Sequence, residues 1–419
     1  MQSIQASVTS EIRDWMIRHE LLPADRASAM AAIIGTFCCR CSPHEGEHGH
    51  EHEISRPEDY HVVARLLAVL LCLDDPAPGQ QGASEVLGKI ESGASAILAG
   101  PPLAASPWLR AVSELLRGVA GPAGRDIETF KAAFLDHWDA VEEETRAVAR
   151  GRVSEHAWTA QRDWLADYLR LRPLLIGTEP YLRCWQTLLG CWPAPSLVQA
   201  LEAAAPAVRR AHPHVALDHA LDVARHAHAG GRTRRAPVLS ELDALAVVST
   251  YLANDLGSRE RDRRPQGPGS DPNLVLLLER YFLGRADAER GPGNPYDPAA
   301  LERAEAVVVD MYNIGVSRFR AFRTCALAAG DSADTRLYLS LLARIVDGNL
   351  LSTIAHTGEH TGEHSRAYAG EYTGQHNGER GVDGSARAHG AAATGVHATE
   401  PRYSSLETLR RLSRIHEQT

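Results

Sequence analysis

Helical spacing of apolar residues is the feature that most restricts the fold of this chain. Apolar positions recur with a helical period along almost the whole sequence, Ala, Leu and Arg dominate, and runs of β-branched residues are few. Clusters of Pro and Gly punctuate the pattern, as they do at helix ends. We therefore predict an all-α fold, a helical bundle around one deep apolar cavity.

The same pattern sets the helix bounds and one break between helices. The predicted helices span residues 10–19, 27–38, 59–73, 84–98, 107–119, 127–149, 156–171, 181–189, 196–210, 216–229, 238–259, 272–283, 298–327 and 332–352. Gly177 and Pro180 break the chain between two of them. Such a break frees a carbonyl and a helix N-terminus to face a pocket.

The chain has 419 residues, which is long for one domain but within reach of helical folds with insertions. We predict one domain over residues 1–419 with insertions at 42–56, 195–236 and 356–399. The first and last are polar, His-rich and low in complexity, so we expect disordered loops. The middle one could be an added helical hairpin, an oligomer contact or a lid.

The His-rich tracts could instead bind Zn²⁺ or Ni²⁺. The first tract, His44–Glu53, lies close to Cys38, Cys39 and Cys41 in the sequence. These cysteines lack the paired CxxC spacing of structural zinc sites, so we do not expect such a site.

Composition and charge narrow the class of protein and its partners. The chain is 44% hydrophobic and 23% charged, and its net charge of −9 argues against a nucleic-acid partner. The apolar run Val62–Leu73 contains Arg65 and is shorter than the roughly 20 residues of a membrane span. Seven irregularly spaced cysteines suit a reducing compartment, and Met1–Leu21 has no signal-peptide pattern. We therefore expect a cytoplasmic protein without a membrane span, which could form a homodimer.

Three polar residues, Asn254, Ser258 and Asp262, follow one another at steps of four. If this segment is helical, each step turns about 40° past a full revolution, so the three side chains share one face. One charged and two neutral oxygen ligands suit Mg²⁺, which also binds substrate phosphates. Arg261 could add a positive charge to the same phosphate. The alternative is an exposed polar helix turn.

A second acidic motif lies about 180 residues upstream, where the apolar run Val62–Leu73 ends in Asp74 and Asp75. Paired carboxylates at the end of a hydrophobic helix cost desolvation energy unless a cation meets them. Alone, the pair could be an ordinary helix end closed by Pro76. Together with the Asn/Ser/Asp triad, it predicts a site that holds a diphosphate through several metal ions.

These motifs resemble those of the bacterial class I terpene synthases. In that family an aspartate-rich motif ends one helix and a triad of pattern ND-x-x-S-x-x-K-E lies on a later one; here they read LCLDD (71–75) and NDLGSRERD (254–262). The segment YLRLR (168–172) before Gly177 is similar to the family's pyrophosphate-sensing arginine and effector segment. NLV (273–275) and the RY pair at 402–403 also match, so the resemblance covers nearly the whole chain.

The resemblance implies which residues form the site. It implies three Mg²⁺ ions held by Asp74, Asp75, Asn254, Ser258 and Asp262. It implies a diphosphate bound by Arg172, Arg261, Arg402 and Tyr403. Among catalytic residues it implies Arg172, Arg402, Tyr403 and Gly177, where the carbonyl of about Ile176 to Gly177 points at the developing cation. Pro173 stands where a second arginine is common, so the sensor could be Arg170 or Arg172.

The sequence also departs from the family pattern. The family usually has a third acid soon after the pair, whereas residues 76–80 here read PAPGQ. The triad ends in Asp262 rather than Glu, and Arg261 replaces the usual Lys. The segment between Gly177 and Asn254 is longer than in the family. These departures bear on metal occupancy and turnover more than on the fold.

The function that the resemblance implies is that of a carbon–oxygen lyase of bacterial secondary metabolism. Such an enzyme ionises a linear prenyl diphosphate, C15 farnesyl or C20 geranylgeranyl, and cyclises the carbocation to a terpene hydrocarbon or alcohol. The alternative is a non-catalytic or degenerate isoprenoid diphosphate-binding protein, which the missing third acid would suit. A head-to-tail prenyltransferase would need a second aspartate-rich motif where this chain has the triad.

Overall fold

The computed structural model describes residues 2–41, 56–74, 107–122, 124–149, 164–226, 240–262, 273–290, 298–330 and 332–360. These residues form thirteen α-helices and no strand, which confirms the all-α prediction. The helices are α1 (Gln2–Arg18), α2 (Ala24–Cys41), α3 (Pro57–Asp74), α4 (Pro107–Ala120), α5 (Glu128–Ala149), α6 (Trp164–Leu175), α7 (Thr178–Leu189), α8 (Pro195–Ala211), α9 (Val215–His226), α10 (Glu241–Asp262), α11 (Leu274–Arg290), α12 (Pro298–Ala329) and α13 (Ala333–His360).

Helix α10 lies at the centre of the bundle. All its residues from Glu241 to Ala253 are buried, and it packs chiefly against α12 and α13. A helix with apolar residues on every face is enclosed by its neighbours in this way. The two acids in its first turn are paired: Glu241 accepts from Arg209 at 2.8 Å, and Asp243 accepts from the Tyr338 hydroxyl at 2.7 Å. Pairing offsets the desolvation cost of these carboxylates.

Helices α8 and α9 occupy most of the segment 195–236. Leu201 of α8 and Leu221 of α9 are fully buried and belong to the main core. Arg318 of α12, also fully buried, donates to the His212 carbonyl at 2.6 and 2.9 Å and to Asp218 at 2.6 Å. The two helices are thus part of the bundle, and their status as an insertion relative to the family stays a prediction.

The predicted break at Gly177 is present, but both flanking helices extend closer to it than predicted. Helix α6 continues through Pro173 to Leu175, beyond the predicted end at 171, and α7 begins at Thr178. Gly177 between them has φ 70° and ψ 6°, a left-handed conformation that glycine adopts without a steric penalty. Pro180 lies in the first turn of α7, where a proline removes no needed donor.

Several other helix ends also differ from the prediction, and two of them bear on the site or on a predicted loop. Helix α10 reaches Asp262 rather than stopping at 259, because side-chain hydrogen bonds described below hold its last turn. Helix α13 reaches His360 and so enters the predicted loop 356–399, since polar residues need not interrupt a helix that is already propagating. The predicted helix 84–98 and residues 361–399 lie outside the described residues.

All seven cysteines lie in the described part of the chain and are free thiols. Cys38 and Cys41 of α2 are fully buried in the core, and burial raises the pKa of the Cys38 thiol well above its usual value. A protonated core thiol is a poor metal ligand. None of the described helices combines the length and the apolarity that a bilayer crossing requires.

Candidate active site

The Asn/Ser/Asp triad lies on the last turns of α10. Asn254 is half-buried, whereas Ser258 and Asp262 are buried. The Ser258 hydroxyl donates to Asp262 Oδ2 at 2.6 Å, so two of the three proposed ligand oxygens lie side by side. Oxygens this close can bind one cation together, because a hydroxyl that donates its proton to one of them still has a lone pair for a metal.

Asn273, immediately before α11, holds this end of α10 in place. Its side-chain amide donates to the Asp255 carbonyl at 2.8 Å, to Asp262 Oδ2 at 3.0 Å and to Ser258 Oγ at 3.1 Å. Its Oδ1 accepts the amide of Val275 at 3.0 Å and so starts α11. Sequence reasoning found the segment 273–275 by resemblance but gave Asn273 no role; the structure makes it the support of the triad.

Asp255, next to Asn254, is fully buried and joins α10 to α6. Its Oδ1 accepts from Arg172 Nε at 3.1 Å and Nη2 at 2.6 Å. Its Oδ2 accepts from the Tyr168 hydroxyl and, at 2.8 Å, from the amide of Leu274. Burial raises the pKa of the Asp255 carboxyl, and the Arg172 guanidinium opposes that rise. Sequence reasoning missed this role of Asp255 and Tyr168.

The two candidates for the sensing arginine lie in different surroundings. Arg170 is about one-third exposed and pairs with Glu143 of α5 at 2.6 Å, away from the triad. Arg172 is mostly buried and bonds to Asp255, the neighbour of Asn254. The structure therefore brings Arg172, and not Arg170, to the end of α10 that carries the triad.

The break at Gly177 lies against α3 and α5. A Cβ built on Gly177 would come within 3.0 Å of Leu70 Cδ1 and 3.8 Å of His137 Cε1. Leu70 is one helical turn before Asp74, the last residue of α3. Through Leu70 on one side and Arg172 on the other, the break connects the end of α3 with the end of α10.

Several predicted site residues cannot be placed. Asp75, Arg402 and Tyr403 lie outside the described residues, and the side chains of Asp74 and Arg261 do as well. Among the described residues there is no group of three or more His, Cys, Asp or Glu that could hold a metal. The candidate site is of another kind, because its donors are the oxygens of an amide, a hydroxyl and a carboxylate, a set that fits Mg²⁺.

No protein-family model matches this chain, and no curated protein sequence matches it. Solved structures do. An a-eudesmol synthase is similar over 84% of this chain and 94% of its own, at 15% identity and a TM-score of 0.54. A linalool/nerolidol synthase from Streptomyces clavuligerus, in complex with 2-fluorogeranyl diphosphate, is similar over 82% and 92%, at 17% identity and a TM-score of 0.51.

A third similar structure is the SVS_A2 protein (A224I mutant) from ancestral sequence reconstruction, which covers 84% of each chain at 16% identity and a TM-score of 0.53. Similarity at identities this low establishes the fold alone. The chain has the all-α fold of the class I terpene synthases.

Proposed function

We propose that this chain is a Mg²⁺-dependent class I terpene synthase. It ionises a linear C15 or C20 prenyl diphosphate, cyclises the carbocation to a terpene hydrocarbon or alcohol, and releases diphosphate. One observation carries the proposal: the break between α6 and α7 packs on Leu70, one turn before Asp74, while Arg172 of α6 bonds to Asp255 beside Asn254. The aspartate-rich motif at the end of α3 and the triad on α10, far apart in the sequence, are thereby connected through the segment that joins α6 to α7.

The metal would be held by the oxygens of Asp74, Asp75, Asn254, Ser258 and Asp262. Bound Mg²⁺ would supply the positive charge that the leaving diphosphate needs as its bond to carbon breaks. Ser258 and Asp262 support this assignment, because their oxygens are adjacent and Asn273 fixes both before any ligand arrives. A preorganised site loses little free energy to reorganisation during the reaction.

Arg172 is the arginine we assign to the diphosphate, together with Arg261, Arg402 and Tyr403. Hydrogen bonds from these side chains would strengthen as negative charge collects on the leaving group. The bond to Asp255 supports the choice of Arg172, since it fixes the guanidinium at the triad end of α10.

A backbone carbonyl at the break would face the developing carbocation. The Gly177 carbonyl already accepts the amide of Tyr181 at 3.3 Å, the first bond of α7. We therefore assign the role to the carbonyl of Ile176, the residue before it. A carbonyl dipole directed at a carbocation stabilises it most strongly where water is excluded.

The proposal includes a cytoplasmic location, because the seven free thiols suit a reducing compartment. The homodimer stays a prediction.

The deciding experiment is incubation of the purified protein with Mg²⁺ and, separately, C10, C15, C20 and C25 prenyl diphosphates, followed by gas chromatography–mass spectrometry. We expect a cyclic product from the C15 or C20 substrate and none when the metal is chelated. Asp262→Ala should abolish product, whereas Asp14→Ala, which removes an exposed carboxylate paired with its neighbour Arg13, should not. No product and no released diphosphate from any substrate would refute the proposal. Metal-dependent diphosphate binding without turnover would favour the non-catalytic binding protein.

A further inference from the structure

A buried histidine of α5 contacts the break between α6 and α7. His137 is 2% exposed, and its Nδ1 lies 2.7 Å from the carbonyl oxygen of Leu174. A carbonyl can only accept a hydrogen bond, so Nδ1 must carry the hydrogen. The ring therefore donates from α5 to the last turn of α6.

The Leu174 carbonyl needs such a donor because α6 ends there. In a continuous helix it would accept the amide of Thr178, four residues on. Instead the chain turns left-handed at Gly177, and α7 starts at Thr178. The last carbonyls of a helix must find partners outside it, in side chains or in water. His137 supplies the partner from a neighbouring helix.

The imidazole at this position is neutral. Burial lowers the pKa of His137 to about 4, although the bond to Leu174 opposes that shift. Its Nε2 is buried and has no hydrogen-bond partner among the described residues. The ring Cε1, between the two nitrogens, lies 3.8 Å from the place of a Cβ on Gly177. An uncharged ring thus packs directly against the turn, where a cationic one would oppose a positive charge forming nearby.

We infer that His137 is a positioning residue: by holding the Leu174 carbonyl, it fixes the turn at Gly177 and the direction of the Ile176 carbonyl. Its effect on catalysis rests on the proposed function, but its effect on the turn does not. His137 acts through the backbone and is not assigned any contact with the substrate.

Two substitutions separate the two ring nitrogens. In His137→Asn the side-chain amide takes the place of Nδ1, so the donor to Leu174 is kept and Nε2 is lost. In His137→Leu a side chain of similar volume fills the site without a donor. If the inference holds, the Asn variant behaves like the wild type and the Leu variant does not.

The first measurement is hydrogen–deuterium exchange of the full-length protein, which needs no activity. We expect the backbone amides of residues 176–179, 181 and 182 to exchange about tenfold faster in His137→Leu and near the wild-type rate in His137→Asn. Residues 241–253 of α10 serve as the internal reference. Unchanged exchange at the break in His137→Leu would overturn the inference.

The second measurement is turnover with the substrate that the wild type accepts. We expect kcat to fall about 10- to 100-fold in His137→Leu, with KM changed less than about threefold and an altered product mixture, because a displaced carbonyl misplaces the cation rather than the diphosphate. His137→Asn should restore both kcat and the mixture. Equal losses in both variants would assign the role to Nε2 and overturn the inference. A wild type that turns over nothing refutes the proposed function, while exchange at the break still decides the role of His137.

Discussion

Removal of the Asp255 carboxylate should be among the most destabilising single changes near the site. Asp255→Ala removes a carboxylate that accepts from three donors: the guanidinium of Arg172, the hydroxyl of Tyr168 and the amide of Leu274. Breaking a buried ion pair costs about 3–5 kcal/mol, so we expect a loss of about 4 kcal/mol in the free energy of unfolding. For a chain of 419 residues, this corresponds to a fall of about 5 °C in Tm.

Urea unfolding followed by circular dichroism measures this loss, and two variants calibrate it. Asp255→Asn keeps one acceptor oxygen and should lose about half as much, about 2 kcal/mol. Arg170→Ala removes the other arginine of the same helix, whose exposed pair with Glu143 should contribute less than about 1 kcal/mol. A loss in Asp255→Ala no larger than that in Arg170→Ala would refute the reasoning, because it would mean that the network of Asp255 stabilises nothing beyond a surface pair.

Three further predictions concern the same region. Gly177→Ala should cost more than Gly190→Ala: both residues have positive φ, but a Cβ on Gly177 meets Leu70 at 3.0 Å, and one on Gly190 meets nothing within 4 Å. Unfolding free energies of the two variants, about 1 kcal/mol apart, would check this. Folding stability should fall by about 2 kcal/mol between pH 7.5 and pH 5 through His137, since the unfolded ring gains a proton below about pH 6.5 and the folded ring only near a pKa of about 4. Urea unfolding at the two pH values measures this loss, and in His137→Leu the pH-dependent loss of stability should be absent. Asn273→Ala should raise the Mg²⁺ concentration for half-maximal product formation about tenfold, and an unchanged Mg²⁺ dependence would contradict its supporting role.

The helices could be predicted because their periodicity is local. The bundle needs no long-range information to be recognised as all-α, and most predicted helices overlap an observed one. The ends are less determined by the sequence. Helix α6 passes through Pro173, since the helix tolerates one missing amide near its last turn, and α10 reaches Asp262 because Asn273, eleven residues later, bonds to it. An end held by a distant side chain has no local signal.

The candidate site could be proposed from the sequence to the extent that one helix carries it. Steps of four residues place Asn254, Ser258 and Asp262 together whatever the rest of the fold does. The residues of other helices that hold the site in place are brought to it by tertiary packing, which the sequence pattern does not show. Nothing around His137 in the sequence distinguishes it from an ordinary core histidine, because its partner is a carbonyl on another helix.

The consecutive residues Asn254 and Asp255 show how one motif can both supply a proposed metal ligand and bind a neighbouring helix. Neighbours on a helix point about 100° apart, so the two side chains cannot face the same group. Asn254, half-buried, starts the row of proposed metal ligands, whereas Asp255, fully buried, turns toward Arg172 and Tyr168 of α6. Tyr168 and Arg172 are themselves four residues apart and so share the face that meets it. The carboxylate of Asp255 therefore holds the guanidinium of Arg172 in place. Because Asn254 is a neutral amide, Asp262 is the residue of the triad that carries a negative charge. Exchanging the two residues would put a second carboxylate among the metal ligands and leave Arg172 without its anion.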